Sequence, residues 1–172
     1  MITEKQLKTY DGNITTLKEN EVFVFGSNPQ GRHGMGAAKL AIDNFGAIYG
    51  KGRGFAGQSY ALVTKNLYPK GDIWFNGKKV SHVHEWNADR NELIIYDKAG
   101  ERSLSPQQII NNIEDLYNFA KRFPKRDFLI AYTRGKNLNG YSSEEMAAFF
   151  SVHNIPENIV FNSDFAQLIV VR

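Results

Sequence analysis

Short apolar runs alternate with amphipathic stretches along most of the chain, and this alternation predicts the elements of the fold. Unbroken apolar runs at residues 22–25, 60–63 and 128–131 are typical of strands that are covered on both faces. Residues 158–161 predict a further strand, and residues 167–171 predict the last strand of the chain. The sheet is therefore expected to consist of short, largely buried strands.

Helices are predicted between these strands. Apolar residues recur at helical spacing over residues 35–45. Residues 105–108, Ser-Pro-Gln-Gln, combine a helix cap, a proline in the first turn and a capping-box glutamine, and Pro124 ends that helix. Ser142 and Glu145 predict a third capped helix. Because strands alternate with helices, we expect a three-layer α/β/α fold, in which a mixed, mostly parallel sheet lies between the helices.

Residues 68–102 depart from this pattern, because polar and aromatic residues alternate along them. The Asn-Gly pair at residues 76–77 lies between short extended pieces and indicates a hairpin. A second turn is expected at Ala-Gly, residues 99–100. We therefore predict a β-rich insertion, or an edge of the sheet, within a single domain that spans residues 1–172.

Composition narrows the classes of function. The chain has no cysteine, which excludes disulfides, thiolate catalysis and cysteine-ligated metal sites. Its pI of about 9.0 permits contact with nucleic acid without requiring it. No apolar run approaches the roughly 20 residues needed to span a membrane. The first residues lack the apolar segment of a signal peptide. We therefore expect a cytoplasmic protein without membrane contact.

Glycine and positive charge are concentrated in one part of the chain. Nine of the fifteen glycines fall within residues 26–57. Residues 22–71 contain six basic residues against Asp43 alone, a balance of +5. Residues 26–36, here called the first loop, follow a predicted strand and lead into a helix. Because glycines let the backbone approach a ligand and the amides at a helix start attract anions, the first loop predicts a site for a phosphorylated molecule.

A second loop has the same setting. Residues 133–141, here called the second loop, follow the strand at residues 128–131 and precede the third helix. In open α/β sheets, ligands bind outside the carboxyl ends of the strands. The two loops are therefore predicted to lie side by side and to hold two linked phosphates. Arg32 and Arg134 would add charge to them.

The order and spacing of several segments resemble those of the macro domain family, whose members bind ADP-ribose and in some cases hydrolyse its derivatives. The matching segments are residues 12–15 (GNIT), 24–28 (VFGSN), 31–38 (GRHGMGAA), 58–62 (QSYAL) and 135–141 (GKNLNGY). Residues 25–65 are similar, more closely, to macro-like proteins of bacteria and their phages. The resemblance implies a macro domain-like fold and an ADP-ribose-like ligand. It also implies the host cytoplasm as location if the protein is phage-encoded.

The resemblance also implies roles for individual residues. Asn28 would lie near the distal ribose, in binding or catalysis, and Tyr141 would stack on that ribose. Asn13 stands where the family has an acid that binds adenine, so the preference for a base stays open. The ligand-binding predictions are Asn13, Gly26, Ser27, Arg32, Gly34, Met35, Gly36, Thr133, Arg134, Gly135, Asn137, Leu138, Gly140 and Tyr141.

Catalysis is an open question at this stage. His33 is a candidate general base, since histidine titrates near neutral pH, and Asn28 is the second catalytic candidate. Together they would position a water for hydrolysis at the distal ribose. No paired carboxylates or serine triad stand out, however, and a non-enzymatic protein that sequesters a nucleotide is the alternative. Asn28 could instead close an Asx turn, and His33 could be a solvated loop residue.

Further alternatives concern other partners. Residues 68–102 mix lysines with aromatic residues such as Trp74 and Trp86, a combination that can stack single-stranded nucleic acid or contact a protein. His82 and His84 share one face of a strand but have no third ligand nearby, so neither a metal nor a cofactor is predicted. The oligomeric state stays open.

Overall fold

The computed structural model describes residues 6–68, 71–75, 77–82, 84–133 and 137–170. These residues form ten strands and four helices. In chain order they are β1 (Lys8–Tyr10), β2 (Glu21–Ser27), α1 (Gly36–Asn44), β3 (Gly54–Ala56), β4 (Ser59–Val63), β5 (Gly71–Phe75), β6 (Lys78–His82), β7 (His84–Asn87), β8 (Glu92–Ile95), α2 (Pro106–Arg122), β9 (Asp127–Ile130), α3 (Ser143–Phe150), β10 (Ile159–Asn162) and α4 (Ser163–Ala166).

Six strands form one sheet in the order β1-β10-β9-β2-β4-β3. All neighbouring pairs are parallel except β3 and β4, which are antiparallel. The prediction of a mostly parallel sheet is thus confirmed. Strand β2 lies in the middle, between β9 and β4, and its residues 22–25 are buried, as their unbroken apolar run predicted.

Helices cover both faces of this sheet. Val22 and Val24 belong to the larger core, which includes the apolar faces of α2 and α3. Phe23 and Phe25 point to the opposite face, where they pack in a smaller core with Ala41 of α1. Because successive strand residues face opposite ways, one apolar run supplies both cores. This arrangement is compatible with the α/β/α layout that the sequence predicted.

The predicted helix starts are confirmed for α2 and α3. Ser105 and Gln108 form a capping box at α2, with Pro106 in the first turn. Ser142 and Glu145 form the corresponding box at α3. Side chains there satisfy backbone amides that a helix start leaves unpaired. Both helices therefore begin where the local sequence placed them.

The strand predicted at residues 167–171 is wrong over its described part, which ends at residue 170. The Asn162 side chain accepts hydrogen bonds from the amides of Asp164 and Phe165, and this cap starts the short helix α4 directly after β10. Leu168 and Ile169 then donate backbone hydrogen bonds back into α4. Ile169 is buried because it packs on the core from this turn, which explains an apolar pattern without a strand.

The inserted segment holds two hairpins. Strands β5 and β6 form an antiparallel pair with Gly77 in the turn between them, and β7 and β8 form a second antiparallel pair further along the chain. Asn76, the other residue of the predicted turn, lies outside the described residues. Within the described residues neither hairpin pairs with the six-stranded sheet. An isolated antiparallel bridge between Asn66 and Gly100 joins the two ends of the segment. The segment therefore leaves and rejoins the fold at one place.

Candidate functional site

The two loops leave the same edge of the sheet. Strands β2 and β9 are parallel neighbours, with Val24 opposite Ile130 near their carboxyl ends. The first loop follows β2, and the second loop follows β9. Two of the predicted binding residues, Arg134 and Gly135, lie outside the described residues. The described part nevertheless fixes where each loop begins.

The first loop is held by its own side chains. Asn28 is buried, and its side-chain amide donates a hydrogen bond of 3.1 Å to the Arg32 carbonyl oxygen. The Arg32 amide donates one of 3.0 Å to the Asn28 side-chain oxygen. The buried Ser27 hydroxyl donates to the Gly52 carbonyl oxygen at 2.7 Å. Both polar groups of Asn28 thus stabilise the loop, through the backbone of Arg32 rather than through an Asx turn, and its role toward a ligand stays a prediction.

Several glycines of this region have a packing cause. A Cβ atom on Gly31 would lie 2.3 Å from the carbonyl carbon of Gly50, and one on Gly52 would lie 2.1 Å from the Asn28 carbonyl oxygen. The Gly50 amide also donates a hydrogen bond of 2.8 Å to the Gly31 carbonyl oxygen. Residues 50–52 therefore pack backbone against backbone on the first loop, which only glycine allows.

Gly34 is different. Its φ angle is not in the left-handed region, and a Cβ atom there would meet no atom within 4 Å. Neither backbone strain nor packing requires glycine at this position. The next residue, Met35, is the N-cap of α1 and is 73% exposed, and no side chain caps the helix. The start of α1 is thus open to solvent, whereas side chains cap α2, α3 and α4.

His33 is buried beside this helix start, with 2% of its surface exposed, so it is not a solvated loop residue. Its Nε2 lies 2.9 Å from the Lys51 carbonyl oxygen, and its ring meets the Phe25 ring edge-on with centroids 5.0 Å apart. Because a carbonyl oxygen only accepts, Nε2 carries the hydrogen and Nδ1 is left as an acceptor. Among the described residues, Nδ1 is the one buried side-chain polar atom without a hydrogen-bond partner.

In the second loop, Tyr141 is anchored in the fold. Its buried ring packs edge-on against Phe149, and its hydroxyl donates to the Leu104 carbonyl oxygen at 2.6 Å. The Arg102 guanidinium lies 4.7 Å from the ring centroid. Burial raises the pKa of Tyr141 above its ordinary value. Stacking of Tyr141 on a ribose stays a prediction, but the contacts on its ring and hydroxyl leave it little freedom.

The other predicted residues of the second loop divide by exposure. Asn137 donates from its side chain to the Tyr141 carbonyl oxygen at 2.8 Å, which closes the end of the loop. Gly140 is half-buried, and a Cβ atom there would lie 2.7 Å from Glu101. Thr133 is exposed, and Leu138 is 66% exposed. The loop therefore combines a fixed end with an exposed tip.

The remaining predicted residues lie along the same edge. Gly26 is exposed within β2. Asn13 is also exposed and follows β1, which is parallel to β10. The Asn162 side chain donates to the Gly12 carbonyl oxygen at 3.1 Å and so fixes the turn beside Asn13. The structure thus places Asn13 near the start of α4 rather than on either glycine loop.

Sequence reasoning missed the residues that join the two loops. Asn66 is fully buried; its side-chain oxygen accepts from Gln30 of the first loop at 2.9 Å, and its carbonyl oxygen accepts from the Gly100 amide at 2.8 Å. The Arg102 amide then donates to the Asn139 carbonyl oxygen at 2.7 Å. The base of the insertion thus connects the loops. One sign was available in the sequence: Asn66 follows strand β4 closely, and residues just after a parallel strand lie at the edge of the sheet where ligands bind.

A cavity of about 640 Å³ borders the second loop. Tyr132 and Asp164 line it, and because they follow β9 and β10, the cavity opens at the same edge of the sheet. Tyr141 lines it too, next to the ion pair between Arg102 and Glu145, whose nearest atoms are 2.7 Å apart. The carboxylates in its wall disfavour a phosphate and favour groups that donate hydrogen bonds.

The local positive charge is partly neutralised. The part-buried Arg53 guanidinium forms two hydrogen bonds with the Glu85 carboxylate, at 2.7 and 2.9 Å. Burial alone would lower the pKa of Arg53, but Glu85 more than offsets this and raises it. Lys39 pairs with Asp43 on α1. The Arg32 guanidinium lies 5.2 Å from the ring centroid of Tyr68, at the start of the inserted segment.

Comparison of the chain with family models, curated proteins and solved structures gives no significant match. The likeness to macro domains therefore stays an expectation. Among the described residues, no three His, Asp or Glu side chains come together to hold a metal ion, and the side chains of His82 and His84 are outside that part. No described helix is both long and apolar enough to cross a bilayer.

Proposed function

We propose that the protein binds a phosphorylated nucleotide-like ligand, ADP-ribose or a relative, at the carboxyl edge of the sheet. The observation that carries this proposal is the open start of α1, where Gly34 is required by neither strain nor packing and Met35 provides no cap. Amides at a helix start carry partial positive charge and attract phosphate oxygens. The neighbouring His33 supports the proposal independently, because its buried Nδ1 has no hydrogen-bond partner among the described residues.

The rest of the ligand extends toward the second loop in this proposal. The cavity of about 640 Å³ beside that loop has a volume usual for small-molecule sites. Tyr132 offers an aromatic surface, and Asp164 offers an acceptor for the hydroxyl or amino groups of a nucleoside. This division assigns the negative part of the ligand to the first loop and the hydrogen-bond donors to the second.

Binding without turnover is the form of this function that the geometry supports better. A hydrolase would use Asn28 and His33 to position a water, as the sequence suggested. Both polar groups of Asn28 are occupied by Arg32, and the Nε2 of His33 is occupied by Lys51. Hydrolysis of an ADP-ribosyl bond or of a terminal phosphate is therefore the less favoured alternative. A measurement of product release from such a substrate would test it.

Calorimetry with ADP-ribose tests the proposal. We expect Gly34→Ala to weaken binding at least tenfold, because a methyl group would occupy the path of the phosphate. We expect the melting temperature of the Gly34→Ala variant to stay unchanged or to rise slightly. The position is unstrained, and alanine lowers the conformational entropy of the unfolded chain.

Gly52→Ala is the matched control, since the same added methyl there would meet the backbone of Asn28 and should lower the melting temperature clearly. Wild-type affinity in Gly34→Ala, or no heat from the wild-type protein with millimolar ADP-ribose, would contradict the proposal.

A further inference from the structure

A second cavity, of about 340 Å³, lies in a part of the molecule that the proposed function does not use. Residues of β3, β4, β7 and α2 line it, and none of them lines the cavity beside the second loop. Its volume is within the range usual for small-molecule sites. The inserted segment and the α2 face of the sheet therefore share a candidate binding site.

Aromatic side chains form much of the wall of this second cavity. The Phe119 ring of α2 packs against the rings of Phe55 and Tyr60, with centroids 5.4 Å apart in both pairs. Trp86 of β7 lines the same cavity and is 57% exposed. Aromatic side chains attract other planar rings, which pack on them with an offset or edge to face. The wall therefore favours a ligand with a flat ring.

The less exposed charged groups in the wall are already paired. Glu85 binds the Arg53 guanidinium through two hydrogen bonds. Asp115 accepts hydrogen bonds from the Asn87 side chain at 3.0 Å and from Arg90 at 2.7 Å. Both carboxylates are less than one-fifth exposed. A charged ligand would lose its hydration here without meeting an unpaired charge, which is unfavourable.

Two further charged residues line the cavity at the protein surface. Asp89 and Arg122 are both exposed and opposite in sign. The Arg122 guanidinium lies 5.3 Å from the Phe119 ring centroid. Because water and salt screen exposed charges, and because these two have opposite signs, they select neither a cation nor an anion. The cavity is therefore suited to an uncharged ligand.

Tyr60 supplies a polar group in this aromatic wall. It is 5% exposed, and its hydroxyl forms no hydrogen bond with a described residue, whereas the buried Tyr117 and Tyr141 hydroxyls both donate to carbonyl oxygens. The Tyr60 oxygen is not sealed from solvent, since Tyr60 lines the cavity. Burial raises the pKa of Tyr60, and Asp115 raises it further, so the hydroxyl keeps its proton. A ligand that covers this donor therefore needs an acceptor for it.

We propose that the second cavity binds a small molecule with an uncharged, planar heteroaromatic ring, and that a ring nitrogen or carbonyl oxygen of this ligand accepts a hydrogen bond from the Tyr60 hydroxyl. The ring packs on Phe55 and Phe119, and Trp86 flanks it. Binding changes no covalent bond. It does not depend on the phosphorylated ligand of the two loops, because the two cavities share no residue.

Quinoline and naphthalene are matched probes for this site. Both are fused two-ring molecules of nearly the same size, and only quinoline carries a ring nitrogen that accepts a hydrogen bond. Each is titrated into the isotope-labelled protein at pH 7.5, where quinoline is uncharged, and binding is followed by NMR. We expect saturable shifts of backbone amides within residues 53–60, 85–89 and 115–122, which contain the lining of the cavity.

Tyr60→Phe removes the hydroxyl and keeps the ring. We expect it to weaken quinoline binding about fivefold and to change naphthalene binding less than about twofold, because only quinoline loses a hydrogen bond. Its melting temperature should not fall, because the hydroxyl has no described partner to lose. Tyr49→Phe is the matched control, since Tyr49 is exposed and lies outside the cavity, and this variant should bind both probes as the wild type does.

Three results would each overturn this inference. They are the absence of saturable shifts with millimolar quinoline, shifts confined to residues around the other cavity, and equal quinoline affinity in the wild-type protein and Tyr60→Phe. A loss confined to quinoline in Tyr60→Phe supports it. None of these measurements involves ADP-ribose, so the proposed function stands or falls separately.

Discussion

At the scale of single residues, Asn28 shows how a candidate catalytic group can be a structural one. The side-chain amide of Asn28 donates a hydrogen bond to the Arg32 carbonyl oxygen, and the side-chain oxygen of Asn28 accepts one from the Arg32 backbone amide. An Asn that follows a strand and precedes a glycine loop has the same local sequence in either role. The sequence could not separate the roles, because the pairing depends on the path of the next four residues.

Asn28→Ala should therefore act mainly on stability. We expect a loss of about 1–3 kcal/mol in the free energy of unfolding, because the part-buried backbone groups of Arg32 lose their hydrogen bonds with Asn28. Urea unfolding measures it, with the exposed Asn154→Ala as a control that should change little. Unchanged stability together with lost turnover of an ADP-ribosylated substrate would restore the catalytic assignment.

At the scale of elements, local patterns predicted what local forces determine. Burial on both faces marked β2, and capping boxes marked the starts of α2 and α3. Strands β1 and β3 were missed, because each has three residues, none of them buried, and each forms by pairing with a distant neighbour. His33 was not foreseen as buried, because a polar residue among glycines gives no sign of the segment that will cover it.

The attachment of the β7–β8 hairpin depends on an element-scale interaction that can be measured. Glu85 pairs with Arg53, and both side chains are less than one-fifth exposed. Glu85→Ala would leave the Arg53 charge without compensation, and we expect a loss of about 3–5 kcal/mol in the free energy of unfolding. Glu92→Ala removes an exposed carboxylate from the same hairpin and should cost less than about 0.5 kcal/mol. Equal effects of the two substitutions would refute this account.

At the scale of the whole molecule, buried and half-buried tyrosine side chains tie distant parts of the fold together. The Tyr10 hydroxyl donates to the Ile130 carbonyl oxygen at 2.6 Å, across two strand positions of the sheet. The Tyr117 hydroxyl joins α2 to the end of α3 through the Phe150 carbonyl oxygen, at 2.7 Å. Burial raises the pKa of Tyr10 to about 12, and it raises the pKa values of Tyr60, Tyr96 and Tyr117 as well.

These shifts predict a loss of stability at high pH. Tyrosines in the unfolded chain ionise near pH 10, whereas Tyr10 in the folded protein stays protonated to about pH 12. The stabilisation is therefore complete below pH 10 and is lost as the pH rises from 10 to 12. Urea unfolding at pH 9 and pH 11 should show the decrease, and Tyr10→Phe should reduce it. A free energy of unfolding that is constant between these pH values would contradict the assignment.

The bridge at Asn66 has a consequence for communication across the protein. Gln30 of the first loop, Gly100 of the insertion and, through Arg102, the second loop share one buried support. Because all three segments depend on this one buried residue, loss of the Asn66 side chain is expected to loosen both loops and the root of the hairpins together.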